Sequence, residues 1–310
     1  MIYTVTLNPA LDKTVVIPSF TVDRVNRITE MRTDPGGKGI NVSKVIQKLG
    51  GSSIACGLLG GHTGEAILSE VEKLGIETNF VFVLGETRSN LKIVDPVNHK
   101  NTDINEPGFK VSKELVNGLL HDLAKKVAPE DIVAISGSLP QGAPEDTYGV
   151  WVRALKEKGA KVFLDAEGEV LRNGMAKAPY LIKPNNQELS ALFGRELKTV
   201  GDLKEASREL IGQYGIGAVV VSMGSEGALF VTKSKSLYAK GLKVPAGSTA
   251  GAGDSIVAAL AYAKEREMSL EEAVRLSTAT AAANVMCSGS QAAEISAVEE
   301  LMPQVEISAV

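Results

Sequence analysis

The stretch best suited to chemistry is Ser248-Thr-Ala-Gly-Ala-Gly-Asp254, which runs straight into the apolar segment Ile256–Ala263. Small residues around Gly251 and Gly253 let consecutive backbone N–H groups turn towards one point, and the apolar run predicts a helix whose positive end faces that point. Such a loop is an anion hole, where the amides of Gly251, Ala252 and Gly253 would meet negative charge building on a transferring phosphoryl group. Asp254, at the mouth of the helix, is placed to accept a proton from an attacking hydroxyl. The same Gly-Asp pair also suits an ordinary helix cap, and the two roles are compatible.

A second glycine-rich segment, Pro35-Gly-Gly-Lys-Gly-Ile-Asn41, leads into a predicted helix over Ile40–Leu49. Gly36, Gly37 and Gly39 permit close approach of backbone to a ligand, while Lys38 and Asn41 offer donors to hydroxyl or phosphate oxygens. A plain turn before a helix has the same composition. Gly39, not Ser or Thr, follows Lys38, so this is no Walker A loop. No GxGxxG closes the first strand, which disfavours a dinucleotide site and with it a nicotinamide oxidoreductase.

The elements that must carry these loops alternate along almost the whole chain. Strand-like runs at Tyr3–Leu7, Ser53–Leu59, Phe80–Leu84, Ile132–Ile135, Lys161–Asp165, Tyr180–Lys183, Ala218–Met223 and Gly227–Thr232 are interleaved with amphipathic stretches. The predicted helices include Gly64–Leu74, Val111–Val127, Glu145–Lys158, Asn186–Phe193 and Leu203–Tyr214, with a later one opened by a Ser269/Glu272 capping box. This rhythm predicts βαβ units, a mostly parallel sheet and helices on both of its faces. Leu11–Arg32 and Arg88–Asn105 break it with polar strand-like segments and no helix between their parts. They predict a small accessory sheet, a lid over about residues 11–33 and 88–106, able to cover a pocket or to pair with a second copy. Nothing divides the 310 residues, which read as one α/β domain.

Composition excludes several classes. A net charge of −4 without a Lys/Arg cluster argues against nucleic acid. No run reaches the roughly 18–20 apolar residues of a membrane helix, and the first residues lack a signal-peptide pattern. Cys56 and Cys287 lie among apolar residues and form no CxxC pair, so neither a disulfide framework nor a zinc site is indicated. A cytoplasmic protein with two reduced, buried thiols is expected.

GGKGIN near position 40 and STAGAGD near position 250 resemble the two signatures of the ribokinase-like (PfkB) sugar kinases, with similarity along essentially all 310 residues. The resemblance implies a three-layer α/β/α fold with a β-sheet lid, ATP and Mg²⁺ as cofactors, and a homodimer formed through the lid. It makes Asp254 the base, with the Gly251–Gly253 amides as anion hole. Lys183-Pro-Asn185-x-x-Glu188 matches an element near the ATP phosphates, Glu188 acting on Mg²⁺ through water, although Asn185 and Glu188 are also a capping pair. Ser222, Gly224, Ser225 and Gly227 resemble the nucleotide loop, or equally a glycine-rich hairpin turn, and Asn284 falls near the adenine. For the acceptor, Asp12 in Asn8-Pro-Ala-Leu-Asp12 would bind sugar hydroxyls, with Gly37 and Asn41 close by. Arg27, Lys38, Arg88 and Asn90 would surround an existing phosphate, and Ser138 adds a contact. Gly85–Asp95 and Ile104–Gly108 look most like members that convert fructose 1-phosphate to fructose 1,6-bisphosphate, with tagatose 6-phosphate as the neighbouring acceptor. A non-catalytic sugar-phosphate sensor is the rival from another class. Asp165-Ala-Glu-Gly168 departs from the family's usual Asp-Thr/Cys-Ser-Gly, which puts hydroxyl contacts there in doubt, and Ala250 stands where Val is commoner.

Overall fold

Short apolar runs separated by amphipathic stretches bury both by laying the strands side by side and packing the helices on the two faces. The computed structural model, which describes residues 1–310, has that arrangement. In chain order, β1 (Ile2–Thr6) is followed by β2 (Ala10–Val16), β3 (Glu30–Gly36), α1 (Lys38–Lys48), β4 (Ile54–Gly60), α2 (Gly61–Lys73) and β5 (Glu77–Val83). Next come β6 (Arg88–Asp95), β7 (Lys100–Asn105), α3 (Lys113–Lys126), β8 (Ile132–Ser136), α4 (Thr147–Glu157), β9 (Lys161–Asp165), α5 (Gly168–Met175) and β10 (Leu181–Ile182). The remainder is α6 (Asn186–Phe193), α7 (Val200–Tyr214), β11 (Ala218–Ser222), β12 (Gly227–Thr232), β13 (Ser236–Lys240), α8 (Ala252–Glu265), α9 (Leu270–Met286), α10 (Ile295–Leu301) and β14 (Ile307–Ala309).

Ten strands form one sheet in the order β14-β13-β12-β11-β10-β9-β8-β1-β4-β5. Neighbours from β5 to β11 are parallel, and β12, β13 and β14 extend the sheet antiparallel. Alternate side chains leave on opposite faces: Ile2, Ile132 and Ala134 on one, Tyr3, Val5, Val133 and Ile135 on the other. The first group packs with α1, α8, α9 and α10, the second with α3 to α7. Burial on both faces is why these strands read as continuous apolar runs rather than as alternating ones.

The lid is a separate four-stranded sheet in the order β3-β2-β6-β7. Its register matters more than its core, which is only Val15, Ile17 and Ile93 with Phe20 and Leu91 packed against them. β2 lies between β3 and β6, so Asp12 stands opposite Asp34 on one side and Asn90 on the other. The turn after β6 is tied by Asp95, whose carboxylate accepts N–H groups from Ser19, Phe20, Val97 and Asn98.

Some elements depart from expectation. The strand expected over Tyr180–Lys183 shrinks to Leu181–Ile182, because Pro179 and Pro184 flank it and supply no N–H. Helix α5 hides behind Gly168, Asn173 and Gly174, which lower its propensity, and β13 and β14 are short strands, β14 forming the edge of the sheet. Cys56 is buried as expected, but Cys287 is only half-buried, since it ends α9 and enters a loop. No helix is long and apolar enough to cross a membrane.

At Gly57 the backbones of β1 and β4 leave no room for a side chain. Gly57 has φ 146°, and a Cβ there would stand 1.9 Å from the Thr6 carbonyl oxygen. Thr6 in turn accepts the Ile40 N–H on its Oγ1 at 3.0 Å, a cap for α1 that Gly37 has no side chain to provide. Gly57→Ala should therefore destabilise the fold by about 2–4 kcal/mol through overpacking and backbone strain. Urea denaturation measures it; an unchanged midpoint would show that the strands can part freely.

Candidate active site

Parallel α/β sheets bind ligands beyond the carboxyl ends of their strands, and the chemistry-bearing residues gather there. Asp165 ends β9, Lys183 follows β10, Ser222 ends β11, and Ser138 follows β8 by two residues. Two helices point their amino ends at the same region. Gly251, with φ 79°, is the N-cap of α8, and Asp254 lies in its first turn. Asp254 is thus not the cap: no side chain caps α8, and the carboxylate instead accepts Asn41 Nδ2 from the start of α1 at 2.9 Å. The first-turn amides of α8 have no carbonyl one turn earlier to bond. Ala252 N–H reaches only Thr249 O, at 3.4 Å.

The charges around Asp254 form a compact group. Lys38 Nζ and Lys183 Nζ each lie 3.3 Å from the same oxygen of Asp165, which is buried. A methyl group added at Gly253 would stand 3.2 Å from Lys183 Nζ, so the ammonium sits directly against the opening of α8. Burial, and then the charge of Asp165, pushes the Asp254 carboxyl up to about 6 against the pull of Lys38, Asn41 and Lys183. For Lys38, burial opposes the charge, but Asp165, Asp254 and Glu188 outweigh it and raise its pKa. The result is a carboxylate that can hold or release a proton near neutrality, facing two ammonium groups and free amides.

The lid supplies the opposite wall. Asp12 accepts Asn90 Nδ2 at 3.0 Å, and a Cβ on Gly36 would strike the Asp12 carboxylate. Burial raises the Asp12 pKa, with Asn90, Lys44 and Arg88 acting against it. Arg88 is the clasp of this corner: its three nitrogens donate to the carbonyls of Pro9, Glu106 and Asn8, leaving one N–H on each terminal nitrogen. Asn8 Nδ2 reaches Ser138 Oγ at 3.3 Å. Buried polar atoms without partners are uncommon, yet Asn8 Oδ1, Asn41 Oδ1, Asn90 Oδ1 and Asp165 Oδ2 all belong to this region and have none. These acceptors are available to hydroxyls or waters.

On the far side, Asn185 and Glu188 form a complete capping box on α6. Glu188 Oε2 accepts Asn185 N–H at 2.8 Å, and its other oxygen makes no hydrogen bond. An isolated parallel bridge between Asn185 and Ser222 joins this element to the Ser222–Gly227 loop. That loop is also a hairpin turn, since β11 and β12 pair antiparallel across Gly224 and Ser225. Asn284 is buried in α9; its Oδ1 accepts Ala293 N–H at 2.8 Å, and its Nδ2 lies 3.6 Å from where a Cβ of Gly251 would be.

The structure brings together Asp12, Gly37, Lys38, Asn41, Arg88, Asn90 and Ser138 around the lid wall, and Lys183, Asn185, Glu188, Ser222 and Asn284 around the far wall. Arg27 stays apart. It is exposed in the connection between β2 and β3, which projects into solvent, and makes no hydrogen bond or ion pair. Two residues escaped the sequence reading as site members. Asp165 had a signal, since it closes an apolar run at the carboxyl end of a strand. Lys44 had a fainter one, three residues beyond Asn41 on the same helix face.

Residues 5–297 match the model of the pfkB family carbohydrate kinase. The 1-phosphofructokinase of Vibrio cholerae is 34% identical over 308 residues, 99% of this chain and 96% of that protein. The 1-phosphofructokinase of Xanthomonas campestris pv. campestris is 40% identical over 284 residues, 89% of this chain and 88% of that protein. Phosphofructokinase-2 from Escherichia coli, solved in complex with substrates and products, superposes with a TM-score of 0.93 at 32% identity over 98% of each chain. A family match over nearly the whole length and full-length relatives above 30% identity agree: the chain belongs to the pfkB family of carbohydrate kinases.

Proposed function

We propose that the chain moves the terminal phosphoryl group of ATP onto a hydroxyl of a ketose phosphate, with fructose 1-phosphate as first acceptor and fructose 1,6-bisphosphate as product. One observation carries the reading: a buried, ionisable Asp254 stands at the amide end of α8 with two ammonium groups beside it. The names of the full-length relatives support the choice of acceptor.

In the proposed reaction the acceptor lies between the lid and α1. Asp12, Asn41 and Asn90 take its hydroxyls, and Lys38, Ser138 and the two free N–H groups of Arg88 take its phosphate. Arg27 reaches that phosphate only if the solvent-exposed connection carrying it is brought over a cleft. Asp254 accepts the proton of the attacking hydroxyl as its oxygen bonds to the γ-phosphorus. The bond to the bridging oxygen breaks, and ADP leaves with that electron pair. Amides of Gly251, Ala252 and Gly253, with Lys183, meet the charge that builds on the phosphoryl oxygens. Asn185, the loop of Ser222, Gly224, Ser225 and Gly227, and Asn284 hold the rest of the nucleotide.

No cluster of three or more His, Cys, Asp or Glu side chains exists to cage a metal. The single free oxygen of Glu188 and the unpartnered Asp165 Oδ2 nevertheless fit Mg²⁺, which keeps several waters and takes few carboxylates. Bound with ATP, it would offset phosphate charge. The lid leaves Val22, Val25, Ile28, Met31 and Ile104 exposed, an apolar surface that supports a homodimer through the lid. We read the 310 residues as one cytoplasmic kinase domain.

ADP release measured with fructose 1-phosphate, tagatose 6-phosphate, fructose 6-phosphate and ribose tests the assignment. The highest kcat/KM is expected for fructose 1-phosphate; tagatose 6-phosphate in first place would move the acceptor, and no ADP with any would leave the sensor. Asp254→Asn should lower kcat at least about a hundredfold, the low end for a positioned base. It should also abolish a fall in kcat/KM below pH 6. The same variant should gain stability. A carboxyl near 3.8 in the unfolded chain and about 6 in the folded one penalises folding fully above pH 6 and not at all below about 4. The gain, about 3 kcal/mol at pH 8, should vanish as pH falls through that window in urea titrations. Glu188→Gln keeps the capping box and should raise the Mg²⁺ needed for half-maximal rate about tenfold.

A further inference from the structure

Lys44 is a buried ammonium that the proposed transfer leaves unassigned. It lies on α1, and 7% of it is exposed. Its Nζ donates to the Pro35 carbonyl at 3.1 Å, near the end of β3, and to Ser290 Oγ at 3.4 Å, in the loop between α9 and α10. Lid strand and loop also touch directly, because a methyl group on Gly289 would stand 1.7 Å from Arg32 Nη2. Gly289 and Ser290 line a cavity of about 150 Å³ with Asp12, Asp34, Asn90 and Ala250, so Ser290 and the residue next to Pro35 on β3 face the same space under the lid.

The charges that act on Lys44 come from three elements. Asp34 on β3, Asp12 on β2 and Asp254 on α8 favour its ammonium form, and Arg32 on β3 opposes it. From the loop side it meets the hydroxyl of Ser290, while the nearest loop carboxylate, Glu294, is paired with Lys48 one turn further along α1.

We propose that Lys44 is a positioning residue: by bonding Pro35 and Ser290 at once, its ammonium fixes the distance between β3 and the 288–290 loop, and with it the width of the acceptor cleft in front of Asp254. A charged donor holds a carbonyl and a hydroxyl about twice as strongly as a neutral amine does. Burial pushes the Lys44 pKa down to about 8. The clamp is therefore largely intact at pH 7, half released near pH 8 and mostly released at pH 9, where three carboxylates also lose their shared counter-charge. The consequence for catalysis rests on the transfer proposed above; the clamp itself does not.

The test uses the full chain with Lys44→Met and Lys44→Arg, checked for folding by thermal melts, and two readouts. Hydrogen–deuterium exchange of the 286–292 segment is compared at pH 7 and 9 after correction for intrinsic rates. Protection should fall in the Met variant at both pH values, in the parent only at pH 9, and in the Arg variant at neither. In ADP-release assays with fructose 1-phosphate, the Met variant should lose about tenfold to a hundredfold in kcat/KM for the sugar, the scale of a displaced positioning group, with KM for ATP unchanged. The parent should decline above pH 8, and Lys44→Arg should restore rate and move that decline to higher pH. Should arginine not fold, parent against Met across pH decides. Parent-like exchange and an unshifted pH profile in a folded Met variant would overturn the proposal. A parent that releases no ADP with any sugar would refute the reaction alone, since exchange still judges the clamp.

Discussion

Two buried carboxylates, Asp165 and Asp254, face one pair of ammonium groups, and most of the architecture follows from keeping them there. Ionised carboxylates buried without compensation would protonate or unfold the region. Lys38 and Lys183 supply the compensation, but they meet on a single oxygen of Asp165, and their pull on Asp254 does not offset its burial and the charge of Asp165, which raise its pKa to about 6. That asymmetry separates two chemically identical groups: Asp165 is held by two ion pairs, while Asp254 has a single amide donor and a pKa raised towards neutrality. The four side chains come from α1, β9, the end of β10 and α8, so only the assembled sheet with α1 and α8 in place creates the arrangement. The glycines at 251 and 253 fit the same account, because an added side chain at Gly253 would press on Lys183.

The lid answers to a different constraint. Its core is three buried residues, too small to hold a sheet rigidly by apolar burial, and every residue of β7 is exposed. Polar ties therefore fix it: Arg88 on the carbonyls of Asn8, Pro9 and Glu106, and Lys44 on Pro35. A lid held this way can be ordered without being stiff, as segments that move around ligands are drawn from the less stable parts of a fold. Register rather than packing gives it precision, since pairing β2 with both β3 and β6 sets Asp12, Asp34 and Asn90 in one row.

Much of this was legible in the residues. The βαβ rhythm located the large sheet, because strands buried on both faces must be apolar throughout, and polar strand-like segments marked the lid for the converse reason. Asp254 and Asn41 stood out because glycine loops announce close approach. What stayed hidden was pairing across distance. Asp165 and Lys183 are eighteen positions apart and Lys38 far from both, so nothing local shows that they share one oxygen. Lys44 reads as a surface lysine on a helix until β3 and the 288–290 loop close over it. The family resemblance groups Arg27 with the phosphate ligands, yet sequence gives no sign of which way an exposed connection projects. Asp254 suits a cap by residue type, and only the geometry assigns the cap to Gly251.

The unpartnered acceptors complete the physical picture. Asn8, Asn41, Asn90 and Asp165 each leave a buried oxygen unbonded, and each such atom costs the fold about 1–3 kcal/mol relative to a satisfied one. A chain selected for stability alone would fill those positions with apolar side chains or with mutual hydrogen bonds. Ordered water or the hydroxyls of a bound partner can complete the bonding of these four. Hydroxyl groups and metal-held waters have the required donors, and an apolar ligand has none. A cleft lined by such acceptors suits a polyhydroxylated partner, and the lysines and helix ends beside it suit one that carries phosphate.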